Sequence, residues 1–434
     1  MRSLGAVVFV VLFPAIVTAE DWTGQDVIAK RFGIHFVTPD GTATAEEARC
    51  VVATVLADSG GLVRIRSVGK EGWLPKSEFV LLKDAVAYFT LQPQPGPADV
   101  SLYVLRGVAH TAQKKYGPAL KDFNEAIRLD PTSAPAFFQR GNLWALKKAH
   151  ELAVEDYTRA IRLDPSRPTV HFNRGAAWAE IGDHDKAIAD YTEAIRLSPT
   201  YVAAYANRGA ERSQKKAFGQ AIEDFDEAIR LDPNRADLYE SRADAWYYQG
   251  EHYQAVEDYN RAARLDPVNV HVYFKRAHVW VRRGEFDRAI DDYTTVLRHS
   301  PGSVNVYVYR GIAWSLSGRF EQAVGDFTSA IRVDPNDAVA LNNRASLWAI
   351  CPDEKQRNGV KAVDDARRAC ELTEWKDAIK LCTLAAACAE NGQFDDAVKW
   401  QKKALEDPDF FAKFGRDGLD RVRVYEQHKP LGTK

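Results

Sequence analysis

A heptapeptide ending in proline returns along this chain at a fixed interval. "EAIRLDP" at Glu125–Pro131 is followed by "RAIRLDP", "EAIRLSP", "EAIRLDP", "RAARLDP", "TVLRHSP" and "SAIRVDP". The prolines that close them, Pro131, Pro165, Pro199, Pro233, Pro267, Pro301 and Pro335, stand 34 residues apart. So constant a period restricts the chain to folds in which one supersecondary unit is copied and stacked on itself. Within each unit, apolar residues recur at helical spacing in two segments of about a dozen residues joined by a short turn. Gly182, Gly250, Gly284 and Gly318 fall at that turn, where a left-handed residue ends the first helix. The Asp-Pro or Ser-Pro pair ends the second, because a residue before proline avoids helical angles.

Other positions fall into the same register. Arg106, Arg140, Arg174, Arg208, Arg242, Arg276, Arg310 and Arg344 form one column, each followed by Gly or Ala. Trp144, Trp178, Trp246, Trp280, Trp314 and Trp348 form another, and Phe123, Tyr157, Tyr191, Phe225, Tyr259, Tyr293 and Phe327 a third. Whatever every unit carries serves what every unit does, which is to fold and stack. Small residues let paired helices approach while an aromatic ring fills the groove beside them. The Arg106, Asp122 and Arg128 columns read as a ladder of ion pairs between helices, and the Trp column as core.

A 34-residue helix-turn-helix unit with this small/aromatic/proline pattern resembles the tetratricopeptide repeat (TPR). "N-R-G" at Asn173–Gly175 and Asn207–Gly209 is similar to a common bacterial version of it. The resemblance implies a mostly α fold, a right-handed TPR α-solenoid of about nine repeats. Seven regular units cover 100–337. Two further units cover 338–407, the first lengthened by five residues around "CPDEKQRNG". Residues 83–99 make a capping helix and linker, and 408–434 a short closing helix and tail.

Residues 26–82 lack the period. "CVVATVLADSGGLVRIRSV" alternates apolar and polar residues about Asp58–Gly61, a hairpin pattern. "GKEGWLPKSEFVLL" adds a second glycine turn and a closing strand. The "G-W-L…S-E-F-V" ending resembles the bacterial SH3-like domain, a small all-β barrel of which some members bind cell-wall peptides. Trp73 is then either a ligand-stacking aromatic or a ring packed into the barrel.

Met1-Arg2, an apolar run from Leu4 to Val17 and small residues before Glu20 describe a secretory signal covering 1–19. The expected mature chain is exported, periplasmic or extracellular, with no integral membrane segment after cleavage. Lys plus Arg (58) and Asp plus Glu (60) nearly cancel, which gives no electrostatic case for nucleic acid. Five cysteines without a C-x-x-C pair argue for no metal site and for helix packing. No catalytic motif occurs, and signal, barrel and repeats consume the chain, so neither catalysis nor a cofactor is expected.

Function therefore falls to positions that vary between units. The resemblance implies that the first helix of each unit lines a concave face where extended peptides bind. Gln139, Asn173 and Asn207 occupy one such position in consecutive units, with Phe138 and Phe172 beside the first two. Carboxamides both donate to and accept from a peptide backbone. The same residues also suit an ordinary polar surface. Glu211 and Arg212 replace the apolar residues of other units, as a locally paired couple or as a functional notch. Two readings follow: a scaffold holding a polypeptide partner in the TPR groove, or an envelope protein whose SH3-like domain binds cell-wall material while the repeats act as spacer.

Overall fold

The computed structural model describes residues 23–30, 35–37, 43–47, 52–67, 70–92 and 100–431. The signal expected at 1–19, Cys50 and most of the linker lie outside these residues. The chain divides into two compact units, Met1–Ala217 and Phe218–Lys434.

The first unit opens with strands β1 (Asp26–Ala29), β2 (His35–Val37), β3 (Ala43–Glu47), β4 (Val52–Asp58), β5 (Leu62–Ser67), β6 (Lys70–Pro75) and β7 (Phe79–Leu81). They form an antiparallel sheet in the order β3-β2-β6-β5-β4-β1-β7. The β4–β5 hairpin turns where the sequence indicated. Gly60 takes φ +81°, and its N–H donates to Asp58 Oδ1 at 2.7 Å. The barrel expected from the sequence is not closed: among the described residues β3 and β7 are the two edges, and no pairing joins them. One sheet face carries Val55, Val63, Ile65 and Leu74, all buried. That core runs on into Ala85 and Phe89 of the capping helix α1 (Ala85–Leu91).

Repeat 1 consists of α2 (Ser101–Ala112) and α3 (Tyr116–Leu129), and repeat 2 of α4 (Ala134–Leu146) and α5 (His150–Leu163). Repeat 3 has α6 (Pro168–Ile181) and α7 (His184–Leu197), and α8 (Val202–Gln214) ends the unit. The second helix of a repeat stops because Asp130 turns extended (φ −134°) before Pro131, and its carboxylate accepts the Thr132 N–H at 2.8 Å. Asp thus supplies both the stop and the turn. The first helix stops on a left-handed residue. Gly182 takes φ +90°, but Lys114, Lys148 and Lys216 hold the same conformation at φ 60–61°, which costs an L-residue about 1–2 kcal/mol. The lysine before the left-handed one is engaged at two of these turns: the Lys147 ammonium lies 5.1 Å from the Trp144 ring centroid, and Lys215 pairs with Asp185.

The aromatic column forms the centre of each repeat. Phe123, Tyr157 and Tyr191 are each 1% exposed, a burial worth about 2–3 kcal/mol per ring. A Cβ on Gly141 would come within 2.7 Å of Tyr157 Cε1, so the small residue after each Arg is what seats the ring.

In the second unit α9 (Phe218–Leu231) precedes α10 (Ala236–Gln249) and α11 (His252–Leu265), α12 (Val270–Arg282) and α13 (Phe286–His299), α14 (Val304–Leu316) and α15 (Phe320–Val333). There follow α16 (Ala338–Ile350) with α17 (Gly359–Leu372), α18 (Ala378–Glu390) with α19 (Phe394–Ala404), and α20 (Pro408–Glu426). The insertion sits between α16 and α17 as a 3-10 turn at Glu354–Gln356. The closing helix is longer than the sequence suggested. Asp407 caps it by accepting the Phe410 N–H at 2.7 Å, and Pro408 is its first residue, a start signal that the polar stretch disguised.

The charged columns pair in a more specific way than a simple ladder. Arg140 Nε and Nη2 donate to Asp156 at 2.8 and 2.7 Å, and Nη1 reaches Asn124 of the preceding repeat at 2.7 Å. Arg174 does the same with Asp190 and Thr158, and Arg276 with Asp292 and Asn260. Each guanidinium therefore pins two helices of its own repeat to one of the repeat before. The Arg128 column takes no part: Arg128, Arg196 and Arg230 pair with Glu125, Glu193 and Glu227 three residues back on the same exposed helix face. The Trp column is core only in part. Trp280 is 7% exposed, whereas Trp144, Trp178, Trp246, Trp314 and Trp348 are half-buried. Cations cover several of these rings, with Lys186 4.2 Å from the Trp178 centroid and Arg319 4.4 Å from that of Trp314.

Candidate functional site

The first helices α4, α6 and α8 present Gln139, Asn173 and Asn207 at their sixth positions, all half-buried. Leu105, the matching residue of repeat 1, is fully buried, so the polar row starts at repeat 2. The carboxamides do not stand alone. Asn173 Nδ2 donates to Asn142 Oδ1 at 2.9 Å, across one repeat, and Asn142 Nδ2 donates to Gln139 Oε1 at 3.2 Å. The Tyr157 hydroxyl donates to Asn142 Oδ1 at 2.8 Å, and Asn207 Nδ2 donates to the Tyr191 hydroxyl at 3.4 Å. Burial raises the Tyr157 and Tyr191 hydroxyls well above the usual phenol range, so both stay protonated donors at neutral pH. Phe172 packs between Tyr191 and Tyr201, with centroids 5.5 and 4.9 Å away, and Phe138 lies 6.0 Å from Tyr157.

Asn142 is the member that reading the sixth position alone misses. Its signal is internal to the sequence. Fifteen residues before Tyr157, Tyr259 and Tyr293 stand Asn142, Asp244 and His278, while Val108, Ala210 and Ile312 stand before Phe123, Phe225 and Phe327. A buried hydroxyl needs a partner and a phenyl ring does not, so the aromatic column and the ninth position of the first helix change together. Tyr191 departs from the rule, with Ala176 at that place, and Asn207 serves it instead.

The second unit builds the same joint from charges. Lys275 Nζ donates to Asp244 Oδ2 at 2.6 Å across one repeat, and the Tyr259 hydroxyl donates to Asp244 Oδ1 at 2.6 Å. Lys275 also reaches Glu240 at 2.7 Å, and Asn269 Nδ2 holds the other oxygen of Glu240 at 3.1 Å. Burial raises the Asp244 carboxyl despite the ammonium beside it.

Glu211 is locally paired: His184 Nδ1 lies 2.6 Å from Glu211 Oε2, whose side chain is 14% exposed. Arg212 is also engaged. Trp73 is not in the core of the sheet. It pairs with exposed Arg64 on the face opposite Leu74 and is half-buried there. Among the described residues, no three His, Cys, Asp or Glu side chains are grouped to hold a metal ion, and no helix is long and apolar enough to cross a membrane.

Family models described as tetratricopeptide repeat match residues 100–133, 142–202, 211–270 and 274–338, just over half of the chain. The chain is a tetratricopeptide-repeat protein. TPR proteins are in general protein-interaction scaffolds rather than catalysts. Among solved structures, the C-terminal part of a TPR repeat-containing protein from Cytophaga hutchinsonii is 17% identical, with TM-score 0.50, covering 55% of this chain and 98% of that one. YrrB, described as a TPR protein with an unusual peptide-binding site, is 21% identical with TM-score 0.40, covering 43% and 97%. MamA is 26% identical with TM-score 0.38, covering 39% and 93%. No curated protein matches the chain.

Proposed function

We propose that this TPR protein is an exported, non-catalytic scaffold that captures a polypeptide partner on the face formed by the first helices α4, α6 and α8. The observation that carries the reading is the row of half-buried carboxamides with hydrogen-bonding capacity to spare. Asn207 donates to the Tyr191 hydroxyl at 3.4 Å, and Asn173 donates to Asn142 at 2.9 Å and also bonds the Tyr157 hydroxyl. Both retain a carboxamide oxygen that would accept from a peptide N–H. Phe172 offers apolar contact at the same place. Export rests on the sequence of residues 1–19, with cleavage after Ala19 and release into the periplasm or beyond.

The test is capture from the native envelope fraction by the chain from Glu20 to Lys434, beside its folded Asn173→Ala/Asn207→Ala variant. A polypeptide held by the parent and released by the variant supports the reading, and a synthetic peptide from that partner then gives its affinity. Equal capture by both proteins removes the function from this face. The N-terminal mass of the exported protein tests cleavage, since retention of Met1 would refute it.

A second reading is favoured by the position of Trp73. An SH3-like front module binding cell-wall material would use that outward ring together with its sheet face. Trp73→Ala abolishing association with purified cell wall, with partner capture intact, would transfer the primary role to the front module.

A further inference from the structure

The repeat made of α18 and α19 breaks the pattern at its centre. Seven second helices, from α3 to α15, hold a buried Phe or Tyr at their eighth place, whereas α19 holds Gln401 there. Gln401 is fully buried, and its Nε2 finds no acceptor among the described residues. Its Oε1 accepts from the Cys382 thiol at 3.4 Å. Cys382 stands at the fifth place of α18, where α4, α6 and α12 carry Phe138, Phe172 and Phe274. The closing helix α20 adds two more polar groups. Arg421 Nη1 donates to Cys382 Sγ at 3.2 Å, and among the described residues no carboxylate pairs with that guanidinium. Tyr425 is fully buried, its hydroxyl is also unpartnered, and the charges of Cys382 and Arg421 both act on it. A guanidinium, a carboxamide N–H and a hydroxyl thus gather about one sulfur, which is a weak acceptor. Buried donors in such a state are unstable unless something supplies them with oxygen.

We infer that Cys382 is a modification site, oxidised by a peroxide to a sulfinate that Arg421 and Gln401 hold in place. The thiolate attacks one oxygen of hydrogen peroxide. An S–O bond forms as the O–O bond breaks, and the departing hydroxide leaves as water with the proton the thiol gave up. The sulfenic acid so formed repeats the step with a second peroxide, so that sulfur is oxidised twice and each peroxide is reduced to water. A sulfinate is ionised at neutral pH and answers the Arg421 charge through charge-assisted hydrogen bonds. Its oxygens also give the Gln401 amide and the Tyr425 hydroxyl an acceptor inside their own cluster. Access favours this thiol over its neighbours: Cys351, Cys370 and Cys388 are at most 1% exposed, whereas Cys382 is half-buried. Burial keeps the Cys382 thiol above its ordinary value while Arg421 and Gln401 draw it back. The guanidinium therefore acts more on the oxidised product than on ionisation of the thiol.

The experiment treats the chain from Glu20 to Lys434 with hydrogen peroxide and follows each cysteine by peptide mapping. Cys382 is expected to reach the sulfinate at least about tenfold faster than Cys370 or Cys388. The α18, α19 and α20 amides of the oxidised chain should exchange hydrogen no faster than those of the reduced one. A second pair of variants needs no oxidant. Cys382→Asp puts a carboxylate where the sulfinate would stand, and exchange in α18–α20 should stay within about threefold of the parent's. Adding Arg421→Leu to it should speed that exchange at least about tenfold, while Arg421→Leu alone, with the thiol in place, should leave it nearly unchanged. Oxidation of Cys382 no faster than that of its buried neighbours would overturn the inference. So would exchange that rises once Cys382 is oxidised, because the donors would then not be holding the product. A Cys382→Asp chain that exchanges fast with Arg421 present, or that is indifferent to Arg421→Leu, would overturn it as well.

Discussion

Removing one arginine of the repeated pins should cost far more than a surface ion pair can. Asp156 is 5% exposed, and Arg140 holds both its oxygens at 2.7–2.8 Å while also reaching Asn124. Arg140→Ala leaves a buried carboxylate without its partner, a loss of about 3–5 kcal/mol when a buried pair is broken from one side. The severed bond to Asn124 adds about 1 kcal/mol. Asp156→Ala is the milder change, at about 2 kcal/mol, because the Arg140 side chain is 23% exposed and can turn to water. The double variant should cost clearly less than the two singles together, with a coupling of about 2 kcal/mol. The assay is hydrogen exchange of the α4 and α5 amides across a urea series, since a repeat array need not unfold in one step. An Arg140→Ala cost below about 1 kcal/mol, the value of an exposed pair, would refute the argument.

Lys148→Gly should stabilise repeat 2 by about 0.5–1 kcal/mol, because glycine relieves the left-handed backbone at some expense in unfolded-state entropy; an unchanged or lowered urea midpoint would contradict it. Burial lifts the Cys370 thiol to about 12 and that of Cys388 to about 11, so neither should react with iodoacetamide at about pH 8 until the chain unfolds, as peptide mapping can follow. Burial opposes ionisation of Asp190, but the two hydrogen bonds from Arg174, with the His171 ring 3.6 Å away, more than offset it and hold the carboxyl below its usual value. A depressed folded pKa means stabilisation present above an unfolded pKa of about 3.9 and lost as pH falls through the folded value. Carboxyl titration by NMR should place the Asp190 midpoint below the unfolded value, and a midpoint above it would reverse the sign.

The repeats were legible because every unit restates the same packing problem. Period, turn glycines, proline stops and the five-residue insertion could all be counted. Pairing was harder to read. Arg128 and Arg106 form equally regular columns, and only their angular position on the helix sends one to solvent and the other to a buried Asp. The start of α20 was obscured because Asp407-Pro408 reads as a turn until one sees Asp407 accept the Phe410 N–H. At the candidate face the sixth-position row was visible, but its connection through Asn142 was not, because that signal lies in a partnership between columns fifteen residues apart. The front sheet resisted for a further reason: its pairings are non-local, and a hairpin pattern does not say whether the two outer strands meet.

Arg344 donates to Asp365 at 2.7 and 3.0 Å across 21 residues, where the other pairs span 16. The array therefore keeps time by contacts rather than by residue number, and the bend between paired helices is a place where chain can be spliced in without the stack losing its beat. Foreign loops grafted at Lys147–Lys148 or at Gly284 would inherit the same indifference, which makes these bends natural ports for adding recognition elements.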